Sequence, residues 1–300
     1  MPDTQQGLMP SSSAGDVASR KPRDDEIDVY GLTHTGKVRK LNQDHFLICS
    51  LKRDLIPVST SLPDVSGLGG SPERLAFLAM VADGVGGGPM GEEASRLAVE
   101  SITDYVAQCT RCYYAAVTTD EKEFTAALAD AALQSHTTVA ERAKADPERR
   151  GMATTLTLWI GVWPDVYLLQ VGDSRCYMLR GDVLTQISRD QTMAQEMVDQ
   201  GLLPAAQAAA TRWSNVLSSS IGGSQTMPVV THLRNDWDTV WMLCSDGLTR
   251  HVTDDRIRDR LRAMTSARQA AEALLQDALD GGGSDNITII VGRAFRKDSA

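Results

Sequence analysis

Apolar and polar positions follow two periodicities along the chain, and each predicts a different kind of element. Short β-rich runs bounded by glycine, proline or asparagine predict strands. These runs cover residues 27–35, 45–50, 75–82, 229–233, 239–244 and 287–293, with four more between 154 and 187. We expect the first two runs to pair with each other. We expect the four central runs, broken at Trp163-Pro164, Gly172-Asp173 and Gly181-Asp182, to form a meander.

Amphipathic helices are predicted where apolar residues recur every three or four positions. The pattern covers residues 94–106, 124–139, 254–264 and 267–279, and residues 192–210 are helical but broken near Gly201 and Pro204. Because strands come in runs and helices in pairs, the order predicts an α+β domain with antiparallel sheets rather than a doubly wound parallel one. Two sheets packed face to face, each covered outside by a helix pair, would bury every apolar face.

One domain is expected to span residues 26–296, because no linker divides this region. Residues 1–25 are rich in serine, glutamine, proline and aspartate and lack apolar periodicity, which predicts a disordered tail that is dispensable for catalysis. Residues 51–74 carry three prolines and a cluster of glycines, so we expect a surface insertion there. Residues 192–213 are interpreted as a flap-like segment, and residues 297–300 as a C-terminal tail.

Composition and charge narrow the classes of function. The 300 residues carry 30 Lys and Arg against 39 Asp and Glu, a net charge of −9, and 42% of them are apolar. A negative net charge without a cluster of Lys and Arg argues against a nucleic-acid partner, because affinity for nucleic acid comes mainly from basic side chains that neutralise phosphates. No apolar run approaches the roughly 20 residues that span a bilayer, and no signal peptide is evident, so a cytoplasmic location is expected. A cation-binding role stays open.

The five cysteines are odd in number and scattered, which implies no disulfide framework. Cys109 and Cys112 have the spacing of half a zinc site, but no second pair of ligands accompanies them. We interpret both as ordinary thiols.

Three aspartates fall at the ends of three apolar runs. Asp83 follows residues 75–82, Asp246 follows the run that ends at Ser245, and Asp285 precedes the last run. Each alone is typical of a turn, yet Asp83 and Asp246 lead into helices rather than into a second hairpin strand. Carboxylates on adjacent strand ends suit Mg²⁺ or Mn²⁺, whereas zinc is disfavoured without His or Cys. A phosphate-binding glycine loop at residues 84–91 is the weaker alternative, because no Lys-Ser or Lys-Thr follows it.

Six short segments occur in a recognisable order. They are Arg39-x-x-Asn42-Gln43-Asp44, Asp83-Gly84-Val85-Gly86-Gly87 with Gly91-Glu92 and Ala94-Ser95, Gly151-Met152-Ala153-Thr154-Thr155, Gly172-Asp173-Ser174-Arg175, Ser245-Asp246-Gly247-Leu248 and Ser284-Asp285-Asn286-Ile287-Thr288. Together they resemble the motifs of the metal-dependent serine/threonine protein phosphatases of type 2C, in their bacterial form. Any one motif is weak, but six in order over residues 30–291 are highly specific. The resemblance implies a four-layer α/β/β/α sandwich with a two-metal site where the sheets meet.

The resemblance also implies a set of metal ligands for Mn²⁺ or Mg²⁺. Asp83 would bridge two ions, Asp246 and Asp285 would complete one of them, and the carbonyl of Gly84 would bind the other. Asp173 would share a third, weaker ion with Asp246. A water that bridges the metals would attack phosphorus in line, so no covalent enzyme intermediate is needed.

Two further roles and the partners follow from the same resemblance. Arg39 would grip the phosphoryl group, because a guanidinium suits a bidentate clamp, and Asp44 would orient metal-bound water. The substrates would be proteins phosphorylated on serine or threonine, and a cognate kinase is expected. A monomer is favoured.

The chain departs from the family pattern at two places. Position 43 is Gln where the family often has Glu, so Gln43 either offers a metal a neutral oxygen or only hydrogen-bonds a neighbouring backbone group. No histidine stands at Val85 or Gly88, where relatives carry one, so no protein general acid is visible. His34 and His45 are expected to be strand residues.

Three other interpretations compete with hydrolysis by a two-metal site. A pseudophosphatase would keep the fold and regulate a partner, although the strand-end acids and Arg39 argue against it. A structural cation-binding domain would have no use for Arg39 beside its carboxylates. A nucleophilic Ser245 would need a base, and no histidine lies in the matched motifs.

Overall fold

The strands form two antiparallel sheets in the computed structural model, which describes residues 20–53, 73–86, 89–108 and 121–297. The strands are β1 (Ile27–His34), β2 (Asp44–Arg53), β3 (Glu73–Val85), β4 (Ala153–Thr154), β5 (Leu156–Val162), β6 (Asp165–Val171), β7 (Arg175–Arg180), β8 (Val183–Gln186), β9 (Val229–Arg234), β10 (Val240–Cys244) and β11 (Ile287–Ala294). The first sheet has the order β1-β11-β10-β7-β8. The second has the order β2-β3-β5-β6-β9, with the short β4 also paired to β3.

Helices cover the outer face of each sheet. They are α1 (Pro89–Gln108), α2 (Glu121–Ala145), α3 (Met193–Asp199), α4 (Ala205–Ala208), α5 (Asp246–Thr249), α6 (Asp254–Arg262) and α7 (Ala267–Asp280). Apolar side chains of α1 and α2 pack on the second sheet, and those of α5, α6 and α7 pack on the first. The predicted α+β class is confirmed, and the layers form an α/β/β/α sandwich. Within the described ranges, no helix has the length and apolar character needed to cross a membrane.

Strand β3 shows why a continuous apolar run predicts a strand that is buried on both faces. Leu78 and Met80 pack with α1 and α2, whereas Ala79 and Val81 pack between the two sheets. Successive side chains of a strand point to opposite faces, so both faces must be apolar when helices cover one and a sheet covers the other. The run 75–82 therefore lies at the centre of the sandwich.

The prediction that the first two strands pair with each other is wrong. Strand β1 pairs with β11 in the first sheet, and β2 pairs with β3 in the second. Hydrophobic periodicity reports which face of a strand is buried, but it does not report which strand lies beside it. The connection 35–43 therefore crosses from one sheet to the other, and it carries Arg39 and Gln43 to the place where the sheets meet.

The predicted meander is wrong in its connectivity, although its four strands and three breaks are confirmed. Strands β5 and β6 form a hairpin in the second sheet, and β7 and β8 form a hairpin in the first. The chain changes sheets at residues 172–174. Asp173 therefore lies at a second crossover between the sheets.

Strands β2 and β3 are longer than the sequence pattern predicts. Asp83 lies inside β3 rather than after its end, because Gly84 and Val85 pair with β4. The predicted insertion 51–74 begins within β2 and ends within β3, and its residues 54–72 lie outside the described ranges. The two-residue β4 is too short to have a periodicity, so the sequence could not reveal this pairing.

The N-terminal boundary also differs from the prediction, because residues 20–25 belong to the domain. The Glu26 carboxylate is fully enclosed and accepts hydrogen bonds from Arg20 at 2.6 and 2.7 Å. The buried Arg74 donates to Asp24 at 2.5 Å. These ion pairs fasten the segment to β3 and to Glu26, the residue before β1, and the composition of the segment gives no sign of them. Residues 1–19 and 298–300 lie outside the described ranges.

A chain that starts at Glu26 is expected to unfold at a temperature several degrees below one that starts at Arg20. The shorter chain removes the charged partners of Glu26 and Arg74, and the loss of these charge-assisted hydrogen bonds is destabilising. Arg20 lowers the pKa of Glu26 from 4.5 to about 2. A lowered carboxyl pKa means that the stabilisation is present above pH 4.5, so the difference should shrink as pH falls toward 2. Equal unfolding temperatures at pH 7 would contradict this role.

The helical break predicted within residues 192–210 is confirmed, and so is the absence of a disulfide at the three described cysteines. Residues 192–213 hold α3 and α4, with the predicted break between them, and lie between β8 and β9. Cys49, Cys176 and Cys244 are free thiols. Cys109 and Cys112 fall outside the described ranges.

Candidate metal centre

Two aspartates stand side by side on neighbouring strands. Asp44 opens β2 and lies directly opposite Asp83 in the antiparallel register of β2 and β3. The backbone of Asp83 is fixed by the threonine pair at β4: its N–H donates to Thr155 Oγ1 at 3.0 Å, and its carbonyl accepts from Thr154 Oγ1 at 2.8 Å and from Thr155 N at 2.9 Å. The Thr154-Thr155 motif therefore holds Asp83 in place rather than contributing charge.

Asp44 is held by the first sheet although it belongs to the second. Its Oδ2 accepts hydrogen bonds from Ser245 Oγ at 2.8 Å and from Thr288 Oγ1 at 2.7 Å. Its Oδ1 is buried and has no hydrogen-bond partner. Burial raises the pKa of Asp44 to about 6, against the lowering effect of the two hydroxyl groups. A buried acceptor without a partner is costly, so Oδ1 is a candidate acceptor for a water or ligand for a cation.

Asp246 and Asp285 come from the first sheet. Asp246 begins α5 one residue after Ser245, and Asp285 lies two residues before β11. Asn286 ties this edge to the crossover 35–43: its Oδ1 accepts from Gln43 N at 2.8 Å, and its Nδ2 donates to the carbonyls of Thr35 and Leu41 at 3.0 and 2.9 Å. The acids of both sheets are thereby fixed at one edge of the sandwich.

Two arginines hold these carboxylates. Arg39 grips Asp285 with both arms of its guanidinium, at 2.8 Å from Nη2 to Oδ2 and 2.7 Å from Nε to Oδ1. Arg250 donates to Asp246 Oδ2 from Nε at 3.0 Å and also from Nη2, and its Nη1 lies 3.6 Å from Asp285 Oδ2. The Arg39 side chain is 47% exposed, so its guanidinium is accessible from solvent.

Five carboxylates act on one another in this cluster. Burial raises the pKa of Asp83 well above its ordinary value, and the charges of Asp44, Asp246, Asp173 and Asp285 raise it further. Like charges in a poorly solvated site cannot all ionise without a cation nearby. The arrangement therefore favours the binding of positive charge.

A second member of the cluster shows the same effect. Burial raises the pKa of Asp173 to about 7, with further contributions from Asp246 and Asp190, while Arg250 lowers it. Asp173 reaches the cluster because the chain changes sheets beside it. Asp173 thus lies within electrostatic range of Asp83 and Asp246.

Gly84 lies where two backbone segments come very close. A Cβ at this position would collide with the carbonyl of Gly91, and the Gly84 N–H donates to the carbonyl of Gln43 at 3.2 Å. Only glycine allows this approach, which explains the residue type after Asp83.

The Gln43 side chain is buried and engages the backbone. Its Nε2 donates to the carbonyl of Gly86 at 3.1 Å. This contact favours the second of the two predicted roles, in which the amide hydrogen-bonds a neighbouring backbone group. The direction in which Gln43→Glu changes metal affinity stays a prediction.

Gln43→Glu is expected to lower the unfolding temperature of the metal-free protein and to increase the gain in that temperature when Mn²⁺ is added. A carboxylate cannot donate to the Gly86 carbonyl, which costs about 1–3 kcal/mol, while the added negative charge attracts the ion. Thermal unfolding with and without Mn²⁺ measures both effects. A gain equal to that of the parent would show that position 43 does not act on the metal.

The donor set fits hard divalent cations, which take carboxylate oxygens as ligands. Two observations support the fit: the buried, unpartnered Oδ1 of Asp44 and the mutual repulsion centred on Asp83. The side chains are not arranged as a complete shell, since among the described residues no three Asp, Glu, His or Cys groups meet around one point. Instead, Arg39 and Arg250 hold Asp285 and Asp246.

The predictions for histidine and serine agree with the structure. His34 lies in β1 and accepts from Gly36 N at 2.9 Å, and His45 lies in β2 beside Ser95 Oγ at 3.0 Å. Ser245 is fully buried, and its Oγ accepts from Thr288 N at 2.9 Å while it donates to Asp44. A hydroxyl enclosed in this way supports Asp44 and is not placed to attack a substrate.

Two residues of the site, Arg250 and Asn286, are not singled out by the sequence pattern. The spacing of Arg250, four residues after Asp246, would have signalled a contact on one helical turn. Asn286 belongs to a matched motif, but its bonds to a loop more than 240 residues away have no local signal. Long-range polar contacts of this kind emerge only from the fold.

The comparisons with known proteins agree with this geometry. The sequence model of the family described as Protein phosphatase 2C matches residues 68–281. The chain is 32% identical over 218 residues to the serine/threonine protein phosphatase PstP of Mycobacterium tuberculosis, covering 72% of this chain and 40% of PstP. It thus spans less than half the length of that relative.

Two other matches cover more of the related chain. The serine/threonine phosphatase stp of Listeria welshimeri is 30% identical over 216 residues, which are 71% of this chain and 83% of stp. A crystal structure of the PstP catalytic domain in complex with two manganese ions has a TM-score of 0.66 and 25% identity, covering 90% of this chain and 99% of that chain.

Proposed function

Because the chain belongs to the protein phosphatase 2C family, we propose that it hydrolyses phosphoserine and phosphothreonine in proteins, with two divalent cations as cofactors. The observation that carries this proposal is the cluster of buried acids around Asp83, with Arg39 accessible beside it. The cations would be Mn²⁺ or Mg²⁺, and the manganese ions of the related PstP structure support this choice.

Asp83, Asp246 and Asp285 would hold the ions, together with the carbonyl of Gly84. When bound, such ions lower the pKa of a water and neutralise charge on the phosphoryl group. The fixed backbone of Asp83 would limit reorganisation of its carboxylate during the reaction. A third ion at Asp173 and Asp246 would have to compete with the Arg250 guanidinium.

Arg39 and Asp44 would act on the substrate and on the attacking water. The forked guanidinium of Arg39 matches two phosphoryl oxygens and can exchange Asp285 for a phosphate, because both partners are anionic. Asp44 keeps Oδ1 available to accept a hydrogen bond from water, while Ser245 and Thr288 fix its other oxygen. No side chain of the cluster needs to form a covalent intermediate.

Substrate choice is proposed to lie in the flap-like segment, residues 192–213, and in the predicted insertion. The first residue of the segment, Thr192, bridges to Leu217, and the chain just beyond it reaches the site where Ile221 bridges to Thr154, whose hydroxyl holds Asp83. Loops on a rigid scaffold commonly carry specificity. The cognate kinase, the cytoplasmic location and the monomeric state stay predictions from the sequence.

Phosphate release from phosphoserine and phosphothreonine peptides by the purified chain tests the proposal. We expect turnover of both peptides with Mn²⁺ present, and no turnover by an Asp246→Asn variant that remains folded. Binding of phosphopeptide without any turnover by the parent chain would support the pseudophosphatase alternative instead.

A further inference from the structure

Arg250 occupies a place in the acid cluster that the two-metal proposal does not use. The resemblance implies a third ion shared by Asp173 and Asp246, yet a guanidinium is already bound to Asp246 there. Its Nη1 also lies 3.6 Å from Asp285 Oδ2. One cationic side chain therefore binds Asp246, which the third ion would need, and also approaches Asp285.

The contact between Arg250 and Asp246 is built into the local structure. Asp246 is the first residue of α5 and Arg250 is its C-cap, and the Arg250 N–H donates to the Asp246 carbonyl at 3.0 Å. Residues four apart lie next to each other on one face of a helix. The Arg250 guanidinium therefore reaches the Asp246 carboxylate within the same turn.

The backbone on the other side of Arg250 is fastened as well. His251 Nε2 accepts from Ser284 N at 3.0 Å, which ties this turn to the residue before Asp285, and Val252 is buried in the core beneath the first sheet. Arg250 is half-buried, with 35% of its side chain exposed. These anchors restrict how far the guanidinium can move from the acids.

Asp173 lies within range of the same charge. The Arg250 guanidinium and the Asp173 carboxylate are close enough for their opposite charges to attract each other. A divalent ion shared by Asp173 and Asp246 would lie close to the permanent positive charge of the Arg250 guanidinium. Like charges repel strongly in a poorly solvated site. The residues present therefore do not fit a third ion.

We propose that the Arg250 guanidinium takes the place of the third metal ion, so that this chain binds two divalent cations and not three. The inference rests on the proposed two-metal site. In this arrangement Arg250 is a positioning residue: it supplies a fixed positive charge beside Asp246 that does not depend on the metal concentration. Asp173 then serves as a partner of that charge rather than as a metal ligand.

Counting Mn²⁺ ions by equilibrium dialysis and calorimetry tests this proposal without an activity assay. The parent chain should bind two Mn²⁺ ions up to several millimolar free metal. Arg250→Gln, which removes the charge and adds no carboxylate, should bind a third ion in the millimolar range typical of weak carboxylate sites. Adding Asp173→Asn to Arg250→Gln should abolish the third ion.

Two controls keep the outcomes distinct. Arg256→Gln removes an arginine that is bonded to Asp277 on α7, at 2.8 Å, and should leave the count at two. Arg250→Lys keeps the charge and should also leave it at two. A parent chain with three ions, one of them lost in Asp173→Asn, would overturn the inference, as would a folded Arg250→Gln variant that binds only two. A parent chain that binds no Mn²⁺ would instead contradict the proposed function.

Discussion

Asp83→Asn is expected to lower kcat for a phosphothreonine peptide by roughly 10³-fold or more while the chain stays folded. Asp83 lies at the centre of the acid cluster, with its backbone fixed by Thr154 and Thr155. The substitution keeps the shape of the side chain but removes the charge that a divalent cation needs. Steady-state kinetics at saturating Mn²⁺ measures the loss.

The stability of the same variant separates a functional role from a structural one. Because burial and four neighbouring carboxylates raise the pKa of Asp83, its charge destabilises the metal-free fold, and that cost is present when pH is above the ordinary aspartate pKa. The metal-free Asp83→Asn protein should therefore unfold at a higher temperature than the parent at pH 8. A lower unfolding temperature would indicate that Asp83 supports the fold. Asp277→Asn is a matched control, because Asp277 pairs with Arg256 and Arg260 outside the cluster.

Arg39→Ala is expected to lower kcat/KM for the same peptide by roughly 10²- to 10³-fold, because the two charge-assisted hydrogen bonds that we propose between Arg39 and the phosphoryl group would be lost. Most of the loss should appear in KM, and inhibition by inorganic phosphate should weaken in parallel. Arg39→Lys should recover only part of the activity, since an ammonium keeps the charge but cannot form the fork.

The controls must separate a lost contact with the phosphoryl group from the lost ion pair between Arg39 and Asp285. Removing Arg39 also frees that carboxylate, so the kinetics must be measured at metal concentrations that saturate each variant. Arg256→Ala removes an arginine that is also bonded to an aspartate by two arms, and it should leave kcat/KM unchanged. Equal phosphate inhibition of Arg39→Ala and the parent would show that Arg39 does not contact the phosphoryl group.

The parts of the fold that could be predicted are those with a local signal. The run 75–82 is apolar at every position because both faces of β3 are buried, and the periodicity of residues 267–279 marks the face that α7 turns to the first sheet. Asp83, Asp246 and Asp285 could be singled out because each interrupts or borders such a run. Their order along the chain then carried the resemblance to the family.

The parts that could not be predicted depend on contacts between distant segments. Strand β1 pairs with β11, which comes from the other end of the chain. The periodicity of residues 27–35 does not indicate which strand lies beside β1. The same is true of Asn286, which reaches the crossover 35–43, and of Ser245, which supports Asp44. The ion pairs of residues 20–25 could not be predicted for another reason. Disordered tails and ordered terminal segments can share the same charged composition.

Metal dependence of phosphothreonine hydrolysis tests the central claim most directly. The purified chain, stripped with a chelator and assayed on one phosphothreonine peptide, should show no turnover above the Asp83→Asn background. Adding Mn²⁺ or Mg²⁺ in excess of the chelator should restore the activity, because the proposed ligands are oxygen atoms, which bind either ion. Full turnover in excess chelator, at the rate seen with Mn²⁺, would contradict the account of this site as a metal-dependent phosphatase centre.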